Sequence, residues 1–165
     1  MFIDNFNLRG SIPREFYSLH KLEELGLDSN AMTGWIPTWL GAMGNLAKLD
    51  LDRNAFSGPI PEELYQSTSL QYLDLDNNIL SGGISTMIGT MTQLVFYQID
   101  FNQIVGTIPT EIGNLEELRY FSIYGNGFDY DALLPISMCG KGIQIYANCD
   151  MCEGLGDCCT VCLPE

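Results

Sequence analysis

The clearest copy of a repeated pattern lies at Leu22–Pro37, where the sequence reads LEELGLDSNAMTGWIP. Its asparagine, Asn30, recurs with a spacing of 24 residues. The matching positions are Asn54, Asn78, Asn102 and Asn126. The same residue types return at fixed offsets around each of them, and a fixed period of this length is typical of a solenoid made of stacked coils.

Apolar and polar residues alternate just before each asparagine, as they do in a strand with one buried face. The predicted buried positions are Leu25, Leu49, Leu73, Tyr97 and Phe121, five before the asparagines, and Leu27, Leu51, Leu75, Ile99 and Ile123, three before them. Strands that recur once per coil have to run parallel. We therefore predict a parallel sheet along the solenoid, in which each asparagine satisfies buried backbone groups of the turn behind its strand.

The full pattern, LxxLxLxxNxLxGxIP, resembles the plant-type leucine-rich repeat, whose mark is the added Gly-x-Ile-Pro. The resemblance covers about residues 1–128. It implies an α/β solenoid, a right-handed superhelix with a parallel concave β-sheet. Segments such as PEEL at 61–64 begin with proline and acidic residues, which favours short 3₁₀ or helical turns on the convex side. The fold hosts many binding roles, so the resemblance constrains function less than architecture.

The repeat pattern fails after Asn126, because Tyr130 stands where glycine is expected. We therefore predict a solenoid over residues 1–130 and a cysteine-rich C-terminal cap over residues 131–165. Met1 already takes a strand position of a first repeat, and terminal coils normally need a polar cap. We expect that further sequence precedes it.

The composition is strongly acidic, with 21 Asp and Glu against 7 Lys and Arg and a formal net charge of −14. Such a surface repels phosphate groups, so the sequence disfavours nucleic acids and anionic membrane surfaces as partners. No apolar run is long enough to span a bilayer, and no signal peptide is visible.

Residues that could carry catalysis are scarce. The single histidine, His20, is predicted to lie in an exposed linker on the convex side. No nucleophile elbow, phosphate-binding loop or dinucleotide fingerprint occurs. We predict that the protein is not an enzyme and has no cofactor or metal.

Aspartates recur at strand positions that should face the concave side. They are Asp28, Asp52, Asp76 and Asp100, two before the asparagines, and Asp50 and Asp74, four before them. Neighbouring strands lie about 4.8 Å apart, so like charges would form a ladder that favours a cationic partner. Alternatively, each carboxylate accepts hydrogen bonds from the adjacent turn. Ca²⁺ fits less well, since it needs about six to eight converging oxygens.

Aromatic residues take another outward offset, six before the asparagine, in the later repeats. They are Tyr72, Phe96 and Tyr120, with Phe101 and Tyr124 nearby. Exposed aromatics on a rigid sheet are typical anchors for ligands, although they could also only stack on one another. We predict that ligand binds where these rings meet the aspartates, with Tyr124 included in the site.

All six cysteines lie in the tail. They are Cys139, Cys149, Cys152, Cys158, Cys159 and Cys162. An even number in so short a segment favours disulfides, with about 15 possible pairings. The alternatives are free thiols and zinc. Two Cys-x2-Cys pairs have the spacing of zinc ligands, but only six residues separate them, fewer than in most zinc ribbons. The tail also resembles the cysteine-rich endings of extracellular leucine-rich-repeat proteins, which implies a disulfide-rich cap and an oxidising compartment.

The function favoured by these features is a non-enzymatic binding module that recognises a basic protein, peptide or glycan ligand on its concave face. The chain resembles the ligand-binding part of plant-type receptors, which implies an extracellular or secretory-pathway location. We expect a monomer or a part of a larger chain. The alternatives are a secreted inhibitor of a hydrolase and a structural or adhesion protein.

Overall fold

The computed structural model of the protein describes residues 1–129, 132–152 and 161–163. In them the chain winds into a solenoid with two sheets, and every pair of neighbouring strands is parallel. In chain order the strands are β1 Arg9–Gly10, β2 Glu24–Gly26, β3 Ala31–Trp35, β4 Lys48–Asp50, β5 Ala55–Pro59, β6 Tyr72–Asp74, β7 Ile79–Gly82, β8 Phe96–Gln98, β9 Gln103–Gly106, β10 Tyr120–Ser122, β11 Gly127–Phe128, β12 Gln144–Asn148 and β13 Val161–Leu163.

The first sheet, which we call the concave sheet, has the order β13-β12-β10-β8-β6-β4-β2. It confirms the predicted parallel pairing, since Leu49 lies opposite Leu73 and Leu73 opposite Tyr97. All three side chains are fully buried. The alternation read from the sequence therefore separates the buried face of each strand from the face that lines the concave side.

The concave sheet continues past the last clear repeat. β12 pairs with β10, which places Ile145 opposite Phe121, and β13 pairs with β12. Ile145 is fully buried, like its counterpart one coil earlier. The end of the sheet therefore does not coincide with the boundary predicted near residue 130, and the division into a repeat region and a cysteine-rich cap stays a prediction.

The cysteines of the tail are only partly described. Where the structure describes them they are not free, and Cys139 and Cys152 are both disulfide-bonded. The other four are Cys158 and Cys159, outside the described residues, and Cys149 and Cys162, described for the backbone alone. Three disulfides, with zinc as the alternative, therefore stay a prediction for the tail as a whole.

Short helical segments occupy the convex side, as predicted. Glu62–Tyr65 is a single α-helical turn, α1, which follows Pro61. The others on this side are 3₁₀ helices at Arg14–Ser18, Thr38–Ala42, Thr86–Thr90, Thr110–Asn114 and Ile136–Met138, whereas a further 3₁₀ helix, Cys149–Cys152, directly follows the concave strand β12. Leu40 and Leu64 lie in these segments, and their side chains are completely buried. The core is thus one apolar column between the concave sheet and the convex helices.

A second sheet, in the order β1-β3-β5-β7-β9-β11, was not predicted. Its strands follow the asparagine turns, and the glycine of the repeat lies within most of them. Gly58 has a φ of 74°, and a Cβ there would lie 2.9 Å from the indole nitrogen of Trp35. Glycine recurs at this offset because the backbone is left-handed, and at Gly58 also because a side chain packs on it.

The repeat asparagines satisfy backbone groups of the turns behind the concave sheet, as predicted, and they also bond to the preceding coil, which was not predicted. Asn78 accepts a hydrogen bond from the amide of Phe56 at 2.9 Å and donates to the carbonyl oxygens of Leu51, Leu75 and Asp76 at 3.0–3.2 Å. The other repeat asparagines make the same set of contacts. The concave sheet therefore rests on a row of satisfied turns.

Over the described ranges, no helix combines the length and the apolar character that a bilayer crossing requires.

Candidate ligand-binding face

Three columns of side chains cross the concave sheet, because each strand presents the same offsets from its asparagine. The first column is Lys48, Tyr72, Phe96 and Tyr120, and the second is Asp50, Asp74, Gln98 and Ser122. The third, just after the strands, is Asp28, Asp52, Asp76, Asp100 and Tyr124. The fold thus brings all of the predicted ligand-binding residues to the concave face.

The rings of Tyr72, Phe96 and Tyr120 form what we call the aromatic stack. The Tyr72 and Phe96 centroids are 4.3 Å apart with planes 6° from parallel, and those of Phe96 and Tyr120 are 4.4 Å apart at 7°. The ammonium group of Lys48 lies 4.2 Å from the Tyr72 centroid. The ring faces therefore cover one another, while the half-buried side chains leave ring edges toward the concave side.

Tyr146 extends this surface, and the sequence analysis missed it. Its ring centroid lies 5.2 Å from that of Tyr120. A signal was available, because Ile145 follows Phe121 by one repeat length and takes the same buried strand position. The continuation was missed because the glycine and proline of the repeat are absent after Asn126.

Phe101 was noted beside the aromatic rows but not included among the predicted site residues. It is 51% exposed, at the turn after β8. Its ring meets Tyr124 edge-on, with centroids 5.4 Å apart and planes at 89°. The two residues form an aromatic edge next to the aspartate column.

The aspartates are less open than a surface ladder would be, which corrects that expectation. Asp52, Asp74, Asp76 and Asp100 are each at most 7% exposed, and Asp28 and Asp50 are half-buried. Neighbouring side chains cover them. The Tyr72 hydroxyl donates to Asp74 at 3.0 Å, and the guanidinium of Arg53 lies 2.9 Å from Asp52.

Asp100 and Asp76 differ sharply in their hydrogen bonds. Asp100 accepts from the Ser122 hydroxyl and the Tyr124 amide at 2.7 Å, and from the Gln98 side chain at 2.9 Å. The bond from the Tyr124 amide agrees with the alternative considered for the sequence, in which each aspartate accepts hydrogen bonds from an adjacent turn. Oδ1 of Asp76 is buried and accepts no hydrogen bond. Asp76 thus carries a carboxylate that its surroundings satisfy only in part.

Burial changes the acidity of this face. It raises the pKa of Asp52 and of Asp74 to about 7, and the nearby charge of Asp76 is the second cause in both. It also raises the pKa of Asp100 to about 6, although the hydrogen bonds from Ser122 and Tyr124 oppose the shift. At neutral pH the face therefore carries less negative charge than its count of aspartates indicates.

One group of carboxylates within the described ranges has the spacing of a cation site. Oxygens of Asp28, Asp50 and Asp52 all lie within 4.8 Å of one another. Two of the three already have cationic neighbours, since Lys48 is 3.2 Å from Asp50 and Arg53 is 2.9 Å from Asp52. Three carboxylates also fall short of the six to eight oxygens typical of Ca²⁺. We assign no metal to this group.

His20 lies away from this face. It is exposed just after the 3₁₀ helix Arg14–Ser18, and its ring contacts that of Tyr17 edge-on at 5.7 Å. Nothing in this placement links the histidine to the aspartate columns.

Known proteins share this architecture. Residues 22–80 match the family model described as leucine rich repeat. The leucine-rich-repeat ectodomain of the receptor kinase SOBIR1 from Arabidopsis thaliana is 30% identical, with a TM-score of 0.73 over 78% of this chain and 71% of that one. The chain belongs to the leucine-rich repeat family. Comparison with curated protein sequences gives no significant match.

Longer leucine-rich-repeat ectodomains are also similar to this chain. The receptor kinase HAESA from Arabidopsis, solved with the peptide hormone IDA and the co-receptor SERK1, is 34% identical with a TM-score of 0.84 over 90% of this chain. The ectodomain of GASSHO1/SCHENGEN3 from Arabidopsis thaliana, solved with CASPARIAN STRIP INTEGRITY FACTOR 2, is 32% identical with a TM-score of 0.77 over 86%. This leucine-rich-repeat chain spans 25% of the first and 17% of the second.

Proposed function

We propose that this leucine-rich-repeat chain is a non-enzymatic binding module whose concave face takes a basic peptide or a basic protein segment. The observation that carries the proposal is the aromatic stack, which lies on a rigid parallel sheet beside the aspartate columns. Such a surface offers apolar anchors and charge complementarity together. The similar receptor kinase HAESA was solved in complex with a peptide hormone, which agrees with this class of ligand.

The geometry of the stack favours a peptide over a glycan. Sugars pack on open ring faces, but here each ring covers the next at 4.3–4.4 Å, and Lys48 lies over the outer face of Tyr72. What remains accessible is ring edges, which carry positive partial charge and attract oxygen acceptors. Peptide carbonyl groups supply such acceptors at regular intervals.

The strongly acidic character of the protein supports a basic ligand. The protein has a net charge of −14, and its own cations on this face already pair with aspartates, as Lys48 does with Asp50 at 3.2 Å. A positively charged partner would be attracted over a distance of about 10 Å at 0.1 M salt. Binding of the partner should therefore weaken as salt is added.

We also propose that the protein works outside the cell or in the secretory pathway. The disulfide-bonded state of Cys139 and Cys152 supports an oxidising compartment. The similar proteins are receptor ectodomains, which points the same way. With this location we also propose that the repeats are of the plant-type subclass and that the C-terminal tail forms a disulfide-rich cap.

Selection from a random peptide library displayed on phage, with the immobilised protein as bait, tests the proposed function. Enriched peptides should carry net positive charge and bind more weakly at higher salt. Phe96→Ala should speed dissociation of the selected peptide, with a cost of about 2 kcal/mol if the ring is a hot spot. Ile79→Ala, a change of an exposed apolar residue on the second sheet, is the matched control.

Two results would contradict this proposal. Equal affinity of the wild type and Phe96→Ala for the selected peptide would move the site away from the aromatic stack. Enrichment of neutral oligosaccharides on a glycan array, with no peptide selected, would mean that the ligand class is wrong.

A further inference from the structure

Phe101 occupies a backbone position that is unfavourable for an aromatic residue. The matching residues of the earlier coils also have positive φ angles and are Asn5, Ser29, Arg53 and Asn77. Asparagine tolerates this left-handed region, whereas bulky residues such as Arg53 and Phe101 are unfavourable there. Phe101 nevertheless adopts a φ of 48°.

The Phe101 ring is held in place by the next coil. It meets Tyr124 edge-on at 5.4 Å. A Cβ on Gly125 would lie 2.8 Å from Cδ1 of Phe101, so the following residue leaves room for the ring only because it is glycine. The backbone of Phe101 is therefore strained, and its ring is positioned by Tyr124 and Gly125 and still half open to solvent. Strain that persists in this way tends to mark functional positions.

Lys48 shows that an aromatic ring on this face can bind a cation next to an aspartate. Its ammonium nitrogen lies 4.2 Å from the centroid of Tyr72 and, at the same time, 3.2 Å from the carboxylate of Asp50. The exposed Phe101 ring contacts the ring of Tyr124, whose backbone amide donates to the carboxylate of Asp100 at 2.7 Å, so the ring lies at the end of the aspartate column. A cation from a partner would find there the pairing that Lys48 makes within the chain.

We infer that Phe101 and Tyr124 form an anchor for an arginine or lysine side chain of the peptide ligand. The inference rests on the proposed function, which it deepens by naming the side chain recognised. The aliphatic stem of the ligand residue packs on the Phe101 ring, and its charged head points toward the aspartate column. Because arginine stacks on rings through a flat guanidinium, we expect it to bind more tightly than lysine.

The test uses the full chain and the peptide selected from the phage library. Phe101→Asn should weaken binding about tenfold or more, whereas Phe101→Tyr, which keeps a ring, should bind about as well as the wild type. Ser29→Asn is the matched control, since it places asparagine at the same left-handed position far from any of these rings, and it should leave affinity unchanged. Titration calorimetry supplies the affinities.

A second arm separates recognition from stability and identifies the ligand residue. Each basic residue of the selected peptide is replaced by glutamine, and the change at the anchored residue should cost much less in Phe101→Asn than in the wild type, because the two changes remove one shared contact. The unfolding temperature of Phe101→Asn should stay within about 2 °C of the wild type, since relief of backbone strain offsets the lost ring contact.

The outcomes are distinct. If Phe96→Ala weakens the peptide and Phe101→Asn does not, the proposed function stands and this inference is wrong. A fall of more than about 5 °C in the unfolding temperature of Phe101→Asn would make the ring a packing residue and overturn the inference. If the library yields no binding peptide, the proposed function and the inference fail together.

Discussion

Asn78 closes backbone hydrogen bonds on two neighbouring coils at once, and its side chain is almost completely buried. Replacement by alanine would leave the amide of Phe56 and three carbonyl oxygens without this partner. Each buried polar group left unsatisfied costs about 1–3 kcal/mol. We expect Asn78→Ala to lower the free energy of unfolding by roughly 3 kcal/mol or more, measured by urea denaturation.

Asn45→Ala is the control for this prediction. Asn45 is exposed, and its side chain makes one hydrogen bond, of 2.7 Å, to the carbonyl oxygen of His20. Water can replace that bond, so the expected loss is below about 1 kcal/mol. Similar losses in both variants would show that the buried asparagines do not hold the turns together.

At the residue scale, the sequence predicted which side chains line the concave face but not how exposed they are. Period and alternation are enough to assign Asp74 and Tyr72 to that face. The Tyr72 hydroxyl donates to the buried Asp74, and the Arg53 guanidinium pairs with the buried Asp52. Such contacts arise from side-chain conformations that a repeat pattern does not specify.

At the scale of the elements, the convex helices pack so closely that particular glycines are required. A Cβ on Gly41, within the 3₁₀ helix Thr38–Ala42, would overlap the carbonyl oxygen of Glu63 and lie 2.8 Å from the amide nitrogen of Leu64. Both are backbone atoms, so relief requires the two coils to move apart. We expect Gly41→Ala to cost about 2–3 kcal/mol of stability, measured by thermal unfolding.

Gly44→Ala, three residues later, tests the same replacement without the close contact. A Cβ there would have no atom within 4 Å, and the φ of this glycine is not in the left-handed region. The variant should be as stable as the wild type or slightly more so, since alanine reduces the freedom of the unfolded chain. A stable Gly41→Ala variant would show that the coils are less tightly stacked than the structure indicates.

The strands show how far a repeat motif predicts an architecture. The concave strands β4, β6, β8 and β10 follow directly from the alternation before each asparagine. The second sheet was missed because its strands pass through a glycine with positive φ, which disturbs regular alternation. β12 was missed because the glycine and proline of the repeat are absent around it, although Ile145 keeps the repeat period.

At the scale of the whole molecule, carboxylates with raised pKa values lie across the concave sheet. They are Asp4, Asp50, Asp52, Asp74 and Asp100, and burial is the main cause in each. The ordinary value for an aspartate is 3.8. A group whose folded pKa exceeds its unfolded pKa stabilises the fold fully below the unfolded value, and this stabilisation is lost as pH rises through the folded value. For Asp52 and Asp74, whose folded pKa is about 7, the loss falls between about pH 4 and pH 7.

We therefore expect the free energy of unfolding in urea to decline as the pH rises from about 4 to about 7. Asp76 supplies the test, because its charge contributes to the raised pKa values of Asp52, Asp74 and Asp100. Asp76→Asn should lower those pKa values, flatten the decline and raise stability most at the alkaline end. Glu116→Gln removes one negative charge from an exposed position and should leave the slope as it is. A wild-type stability that rises over this range, or an equal flattening by both variants, would mean that the buried aspartates do not govern the pH dependence.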